Sequence, residues 1–194
     1  MKKDIILSGV GGQGILSIAT VIGRAALEEG LQIKQAEVHG MSQRGGDVQS
    51  NLRISSSRID SDLIARGGAD LIISLEPMEA LRYLPWLAAD GWVITNTVPF
   101  VNIPNYPDAE ALQRELASLP HVVALDVDSL AKAAASPRSA NMVLLGAAAP
   151  FLGLEAEKFE QGIRDIFARK GDAVVEMNLA AFRAGYEQAK KQTE

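Results

Sequence analysis

The sequence predicts an α/β protein: a three-layer, mostly parallel Rossmann-like sheet with an antiparallel hairpin insertion and a helical C-terminal part. Three observations carry this. Short apolar runs rich in β-branched residues recur through the first two-thirds of the chain and stop at glycines or polar residues, as buried parallel strands do. The first of them runs into a glycine loop and then into residues at helical spacing, the opening of a doubly wound fold. From Asp128 onward the apolar spacing is helical. With 194 residues and no repeat or linker, the expectation is a single domain over residues 1–194.

Asp4–Ser8 (DIILS) is the first strand. After it, Ile15, Leu16, Ile18, Ala19, Ile22, Ala25 and Ala26 fall at helical spacing between Gln13 and Glu29, and Gly30 supplies a C-terminal cap. Leu31–Val38 returns to strand, followed by a loop containing Gly40, Gly45 and Gly46. Val48–Ile54 alternates apolar and polar residues, and Arg58–Ile64 is its expected partner in an antiparallel hairpin. Ala69–Leu75 reads as a buried strand leading to a helix that Pro85 kinks or ends. Gly91–Thr97 and His121–Val127 complete the core strands, with a Pro-rich surface excursion at 98–108 between them. Helices follow at 128–135, 139–153, 154–170 and 172–192; Ser139 or Asn141 caps the second, and its Gly146, Ala147 and Ala148 suit close helix packing.

Composition narrows the function. A net charge of −5 without clustered Lys or Arg argues against a surface that coats nucleic acid or anionic membrane. The chain has no cysteine, which excludes disulfides, a thiol nucleophile and a Cys-ligated iron–sulfur cluster held by this chain. The two histidines, His39 and His121, are far apart and argue against a zinc site. The apolar run near the N-terminus is broken by Ser8 and the glycines, shorter than the roughly 7–15 residues of a signal peptide. Nothing approaches the roughly 18 apolar residues of a membrane span. The expected location is the cytoplasm.

Gly9, Gly11 and Gly14 have the G-x-G-x-x-G spacing of a dinucleotide-binding loop. In that reading Gly9 makes the tight turn, Gly11 lets the backbone approach an anion, and Gly14 lets the helix pack on the strand. The N–H groups at the helix start favour a phosphate. Glu37 sits roughly where the ribose-binding carboxylate of such a site belongs. A second loop, however, follows it at once: His39, Gly40, Met41, Ser42, Gln43, Arg44, Gly45 and Gly46. A plain NAD or FAD half-domain leaves that loop unexplained. Two other readings stand beside the dinucleotide one, a different anionic ligand or partner loop and a purely structural turn.

Arg44 beside paired glycines suits bidentate capture of a phosphate or carboxylate, against the plainer reading that it pairs with Glu37 or Asp47. His39 is an acid–base group or, more commonly for a lone loop histidine, a hydrogen-bonded organiser. The candidate binding residues are Gly9, Gly11, Gly12, Gln13, Gly14, His39, Met41, Ser42, Gln43, Arg44, Gly45 and Gly46, together with Asn141; none is assigned a catalytic or metal-binding role. Glu76, Glu79 and Arg82 fit an ordinary helix start with an i, i+3 pair. Asp126 and Asp128 fit a strand end and an N-cap. His121 reads as a surface residue.

Four segments carry a resemblance: GVGGQGI (Gly9–Ile15), AEVHGMSQRGGDVQS (Ala36–Ser50), SLEPMEALRYL (Ser74–Leu84) and NMVLLGAAA (Asn141–Ala149). In order and spacing they resemble the small (beta) subunits of indolepyruvate:ferredoxin oxidoreductases, the counterpart of the gamma domain of the wider 2-oxoacid:ferredoxin oxidoreductase family. The resemblance covers nearly the whole chain. It implies oxidative decarboxylation of an aryl 2-oxoacid to an acyl-CoA, CO2 and reduced ferredoxin. It also implies that thiamine diphosphate, magnesium and [4Fe-4S] clusters belong to a large (alpha) subunit, and that this chain binds no cofactor and is silent alone. Its implied contributions are to complete the partner's cleft and help receive coenzyme A, with the two glycine loops either holding CoA phosphates or docking on the partner. The cysteine-free composition and the lack of a Gly-Asp-Gly thiamine motif agree with that division. The gamma subunit of a pyruvate or other 2-oxoacid enzyme is the nearest alternative, and a stand-alone NAD- or FAD-binding protein is the alternative of another class.

Overall fold

Apolar runs with β-branched residues become strands because their side chains pack well on both faces of a pleated sheet. In a computed structural model, which describes residues 1–39 and 45–193, they are β1 (Lys2–Val10), β2 (Gln32–His39), β3 (Asp47–Ser55), β4 (Ala69–Ser74), β5 (Leu87–Asn96) and β6 (Val122–Leu125). Among the described residues they form one sheet in the order β2-β3-β1-β4-β5-β6. β1, β4, β5 and β6 are parallel neighbours. β3 alone runs the other way, antiparallel to β1 from Lys2 opposite Ser55 to Val10 opposite Asp47, and antiparallel to β2 from Gln32 opposite Ser55 to His39 opposite Val48.

Side-chain alternation divides the core into two layers. Ile5, Leu7, Leu71, Ile73, Ile94, Val123 and Leu125 face the larger core, which is covered by α1 (Ile15–Glu28), α4 (Val127–Ala134), α5 (Ala140–Leu152), α6 (Ala156–Phe167) and α7 (Asp172–Thr193). Ile6, Ile72 and Val93 point the other way, into a smaller core closed by α2 (Pro77–Arg82), α3 (Ala109–Ala117) and Ile64. This is the expected three-layer architecture. α5 lies deepest: Met142–Ala149 are all buried, because the sheet and α7 both pack on it. Its fully buried neighbours Phe159 and Phe182 contribute on the order of 1.5–3 kcal/mol each in apolar burial.

The antiparallel hairpin is present, but its partners differ from the expected pair. β3 pairs with β2 and β1 on its two edges, so it has no free edge for residues 58–64. That segment instead folds against the sheet, with Ile59 and Ile64 buried. Arg53 donates to the carbonyls of Ser61 and Leu63 (3.0 and 3.2 Å), and the Asn51 side chain accepts from the Ile64 amide. Arg53 also forms a bidentate pair with the buried Asp4. Pro85 ends the second helix, which closes at Arg82 before a 3-10 turn at Leu84–Trp86. α3, with Asp108 as its N-cap, is an element the periodicity does not announce. His121 is half-buried rather than on the surface, stacked on Trp92 with ring centroids 5.1 Å apart.

Candidate functional site

The chain leaves β1 for β2 and β3 on one side of it, while β4 lies on the other, so the connections diverge at the C-terminal ends of β1 and β4. In open α/β sheets such a switch point forms a crevice that holds ligands. The first glycine loop occupies this crevice. Gly9, Gly12 and Gly14 all have positive φ (155°, 102° and 89°), a conformation side chains disfavour. A Cβ on Gly9 would also meet Ile15 Cδ1 at 2.7 Å and Gln13 Oε1 at 2.8 Å.

Gln13 spans the crevice. Its Oε1 accepts from the Val10 amide at the end of β1 (2.7 Å), and its Nε2 donates to the Leu75 carbonyl just after β4 (3.2 Å). Gly14 is the N-cap of α1 and brings no side-chain cap; Asn141 in the first turn of α5 donates to its carbonyl at 3.2 Å. The two glycine loops are joined through backbone: Gly11 N–H donates to the Gly46 carbonyl (2.8 Å), and Gly45 N–H donates to the Gly11 carbonyl (3.3 Å). Gly11 is therefore occupied by the second loop. Gly12 is exposed with open space around it, and it is the point of the first loop that a ligand can approach.

Beside Gly12 lies a cavity of about 220 Å³, bounded by Gln13, Leu75, Asn96, Asp128, Arg138 and Asn141. Asn96, the last residue of β5 and almost fully buried, ties three strand ends together. Its amide donates to Asp128 (3.1 Å) and to the Leu75 and Val98 carbonyls (both 3.4 Å), and its oxygen accepts from the amides of Val98 and Val127.

The acidic residues after β4 are far more buried than a surface helix start requires. Glu76 is fully buried; its carboxylate caps α2 by accepting from the Glu79 amide (2.8 Å), and it also accepts from the Phe100 amide and the Tyr106 hydroxyl. Glu79 is buried too and takes a bidentate bond from Arg82 (2.7 and 3.1 Å). Burial pushes the Glu79 carboxyl up to about 7; the Arg82 bonds oppose this, and the nearby Asp47 adds to it. The Tyr83 hydroxyl donates to Asp47, and burial followed by that carboxylate raises its pKa. An i, i+3 spacing shows a helical pair but not its depth, so sequence reading missed this cluster. The signal available for it was the apolar strand immediately before Glu76.

Gly9, Gly11, Gly12, Gln13, Gly14, Gly45, Gly46 and Asn141 are thus brought together. Met41, Ser42, Gln43 and Arg44 lie outside the described residues, as does the side chain of His39, whose backbone ends β2 opposite Val48. Glu37 is exposed. It lies on β2, two strands from β1, so roughly 10 Å separates it from the position next to the glycine loop where a ribose-binding acid belongs. Among the described residues no group of three or more His, Asp or Glu side chains is arranged to hold a metal, and no helix is long and apolar enough to cross a membrane.

Comparison with known proteins agrees with this geometry. The family model described as pyruvate ferredoxin/flavodoxin oxidoreductase matches residues 4–188. The indolepyruvate oxidoreductase subunit IorB of Archaeoglobus fulgidus is 37% identical, covering 97% of this chain and 96% of its own length. The gamma subunit of a keto/oxoacid ferredoxin oxidoreductase from Geobacter sulfurreducens superposes with a TM-score of 0.70 at 26% identity, over 97% of this chain and 99% of its own. A longer relative, the ketoisovalerate oxidoreductase subunit VorA of Methanothermobacter marburgensis, is 28% identical over 97% of this chain but only 37% of its own length.

Proposed function

We propose, from the premise that this chain belongs to the pyruvate ferredoxin/flavodoxin oxidoreductase family, that it is the small subunit of a complex oxidising an aryl 2-oxoacid such as indolepyruvate. The products are an acyl-CoA, CO2 and reduced ferredoxin. The observation that carries this is the 37% identity to an indolepyruvate oxidoreductase subunit along nearly the full length of both chains. The large subunit supplies thiamine diphosphate, magnesium and the [4Fe-4S] clusters; a chain without cysteine has no thiolates to hold such clusters. The small subunit acts as one domain over residues 1–194, in the cytoplasm, and reaches ferredoxin through the complex.

The two joined glycine loops set its contribution. They present the open backbone at Gly12 beside the 220 Å³ cavity, and coenzyme A is received there through its phosphates. Arg44 enters this reading through its place in the second loop alone. A stand-alone dinucleotide enzyme fits less well, because β3 displaces β2 and Glu37 from β1.

The test is reconstitution. Purified chain and large subunit are mixed and assayed for ferredoxin reduction with indolepyruvate and CoA. Activity is expected only in the mixture and higher with aryl 2-oxoacids than with pyruvate. Oxidation by this chain alone, or a clear preference for pyruvate or 2-oxoglutarate, overturns the assignment.

A further inference from the structure

We propose that the rim around the C-terminal end of the sheet, formed by Leu16, Val38, Val98, Phe100, Val101 and Ile103, docks on an apolar face of the large subunit. This rests on the small-subunit reading above and adds to it the surface that makes the complex.

Exposed apolar side chains are not spread evenly over this molecule. Among the described residues nine large hydrophobic side chains are exposed, and these six all lie at one end. Leu16 is the second residue of α1, immediately after the first glycine loop; Val38 is next to last in β2; the other four belong to the excursion that follows β5. Scattered single exposures are ordinary, whereas four exposed apolar residues within 98–103, with Leu16 and Val38 at the same end of the sheet, are the pattern of a contact surface. Val101 is 71% exposed and Val38 56%, so much of the burial energy of each side chain is left unrealised by the fold.

The excursion is nevertheless held firmly. Buried Glu76 accepts from the Phe100 amide and the Tyr106 hydroxyl, and Asn102 Nδ2 donates to the Gly45 carbonyl at 2.6 Å. The fold thus fixes a segment that leaves Phe100, Val101 and Ile103 outside, and Asn102 ties that segment to the second glycine loop. A surface built this way presents its apolar groups in a set geometry, with little ordering entropy left to lose on association. The occupant is further polypeptide of the same enzyme. The VorA relative carries this unit as 37% of a longer chain, so the unit occurs joined to additional protein.

The experiment measures binding of the full-length chain to the purified large subunit by calorimetry. Phe100→Ser combined with Val101→Ser is expected to weaken the complex at least about tenfold while the free chain still melts cooperatively above the assay temperature, since Val101 is 71% and Phe100 46% exposed. Leu63→Ser, an exposed leucine in the 56–64 excursion away from the rim, is expected to leave affinity unchanged. If wild-type chain does not bind the large subunit at all, the small-subunit reading fails. If it binds and the rim variant binds equally well, the docking proposal alone fails. It fails also if Leu27→Ser, in the groove between α1 and β2, is the variant that weakens binding. A self-association of the free chain that the rim variant abolishes assigns the rim to a second copy and overturns the proposal.

Discussion

Gly146 of α5 and Gly185 of α7 lie against each other's helix: an added Cβ on Gly146 would overlap the Phe182 carbonyl, and one on Gly185 would overlap the Val143 carbonyl. The two backbones touch because neither residue has a side chain. Gly146→Ala or Gly185→Ala must therefore drive apart two helices, one of which is buried nearly throughout. The expected loss is about 3 kcal/mol or more, read as a fall in melting temperature of roughly 2–4 °C per kcal/mol for a chain of this size. An unchanged melt for both variants would contradict this packing.

Glu79 makes stability depend on pH in an unusual direction. Its carboxyl keeps a proton up to about pH 7 in the folded chain, against an ordinary value of 4.5. The folded state therefore binds more protons than the unfolded one between those values, and stability falls as pH rises from about 4.5 to about 7. Glu79→Gln removes that slope, which denaturant titrations at pH 5 and pH 7.5 measure. Asp4 and Glu160, held below the usual carboxylate range by arginine partners despite burial, act at lower pH, where their contribution is lost on acidification.

Arg53 neutralises Asp4, which is 4% exposed. Arg53→Met leaves a buried carboxylate with only Lys2, itself 62% exposed, as a cation. It also frees the Ser61 and Leu63 carbonyls. The expected cost is about 3 kcal/mol, at the low end for breaking a buried pair. The double variant Asp4→Asn, Arg53→Met is expected to lose less than Arg53→Met alone, and a double-mutant cycle checks it.

Asn141 donates to the Gly14 carbonyl. Asn141→Asp puts an acceptor against an acceptor and is expected to cost about 1–3 kcal/mol, more than Asn141→Ala. Equal stability of the two variants in chemical denaturation argues that the bond is idle.

Arg44→Ala tests the coenzyme A reading. Loss of a charge-assisted phosphate contact is expected to raise the CoA requirement of the assembled enzyme about tenfold, since 1.4 kcal/mol is one decade, with kcat unchanged. A CoA dependence equal to wild type removes Arg44 from the site.

Much of the fold was legible because strands and helices declare themselves by apolar period: β1, β4, β5 and β6 and all four C-terminal helices lie where the pattern puts them. Strand neighbours are another matter. The segment Val48–Ile54 alternates as any half-buried strand does, and nothing in that alternation says that it slots between β1 and β2 rather than pairing with residues 58–64. The glycine loops were visible through spacing; Asn141 stood out by its polarity, and it bonds the first loop at Gly14. Gln13 as the bridge between strand ends and Asn96 as the knot of three were not, because the bonds that make them so reach residues distant in sequence: Leu75 from Gln13, and Leu75, Val127 and Asp128 from Asn96. Burial of Glu76 was hidden for the same reason: the Phe100 amide and Tyr106 hydroxyl that bond its carboxylate lie 24 and 30 residues further on.

The antiparallel placement of β3 has a consequence for how this surface can change. The roots of the second glycine loop are fixed by two ladders that run the length of β3, so a one-residue slip would turn every buried side chain of that strand to the wrong face. The contacts of Gly11 with Gly45 and Gly46 are therefore surveyed by the strands, not by the loop's own sequence. The register of those two ladders thus sets the height at which Gly45 and Gly46 meet Gly11, so the sheet acts as the gauge that spaces one glycine loop from the other.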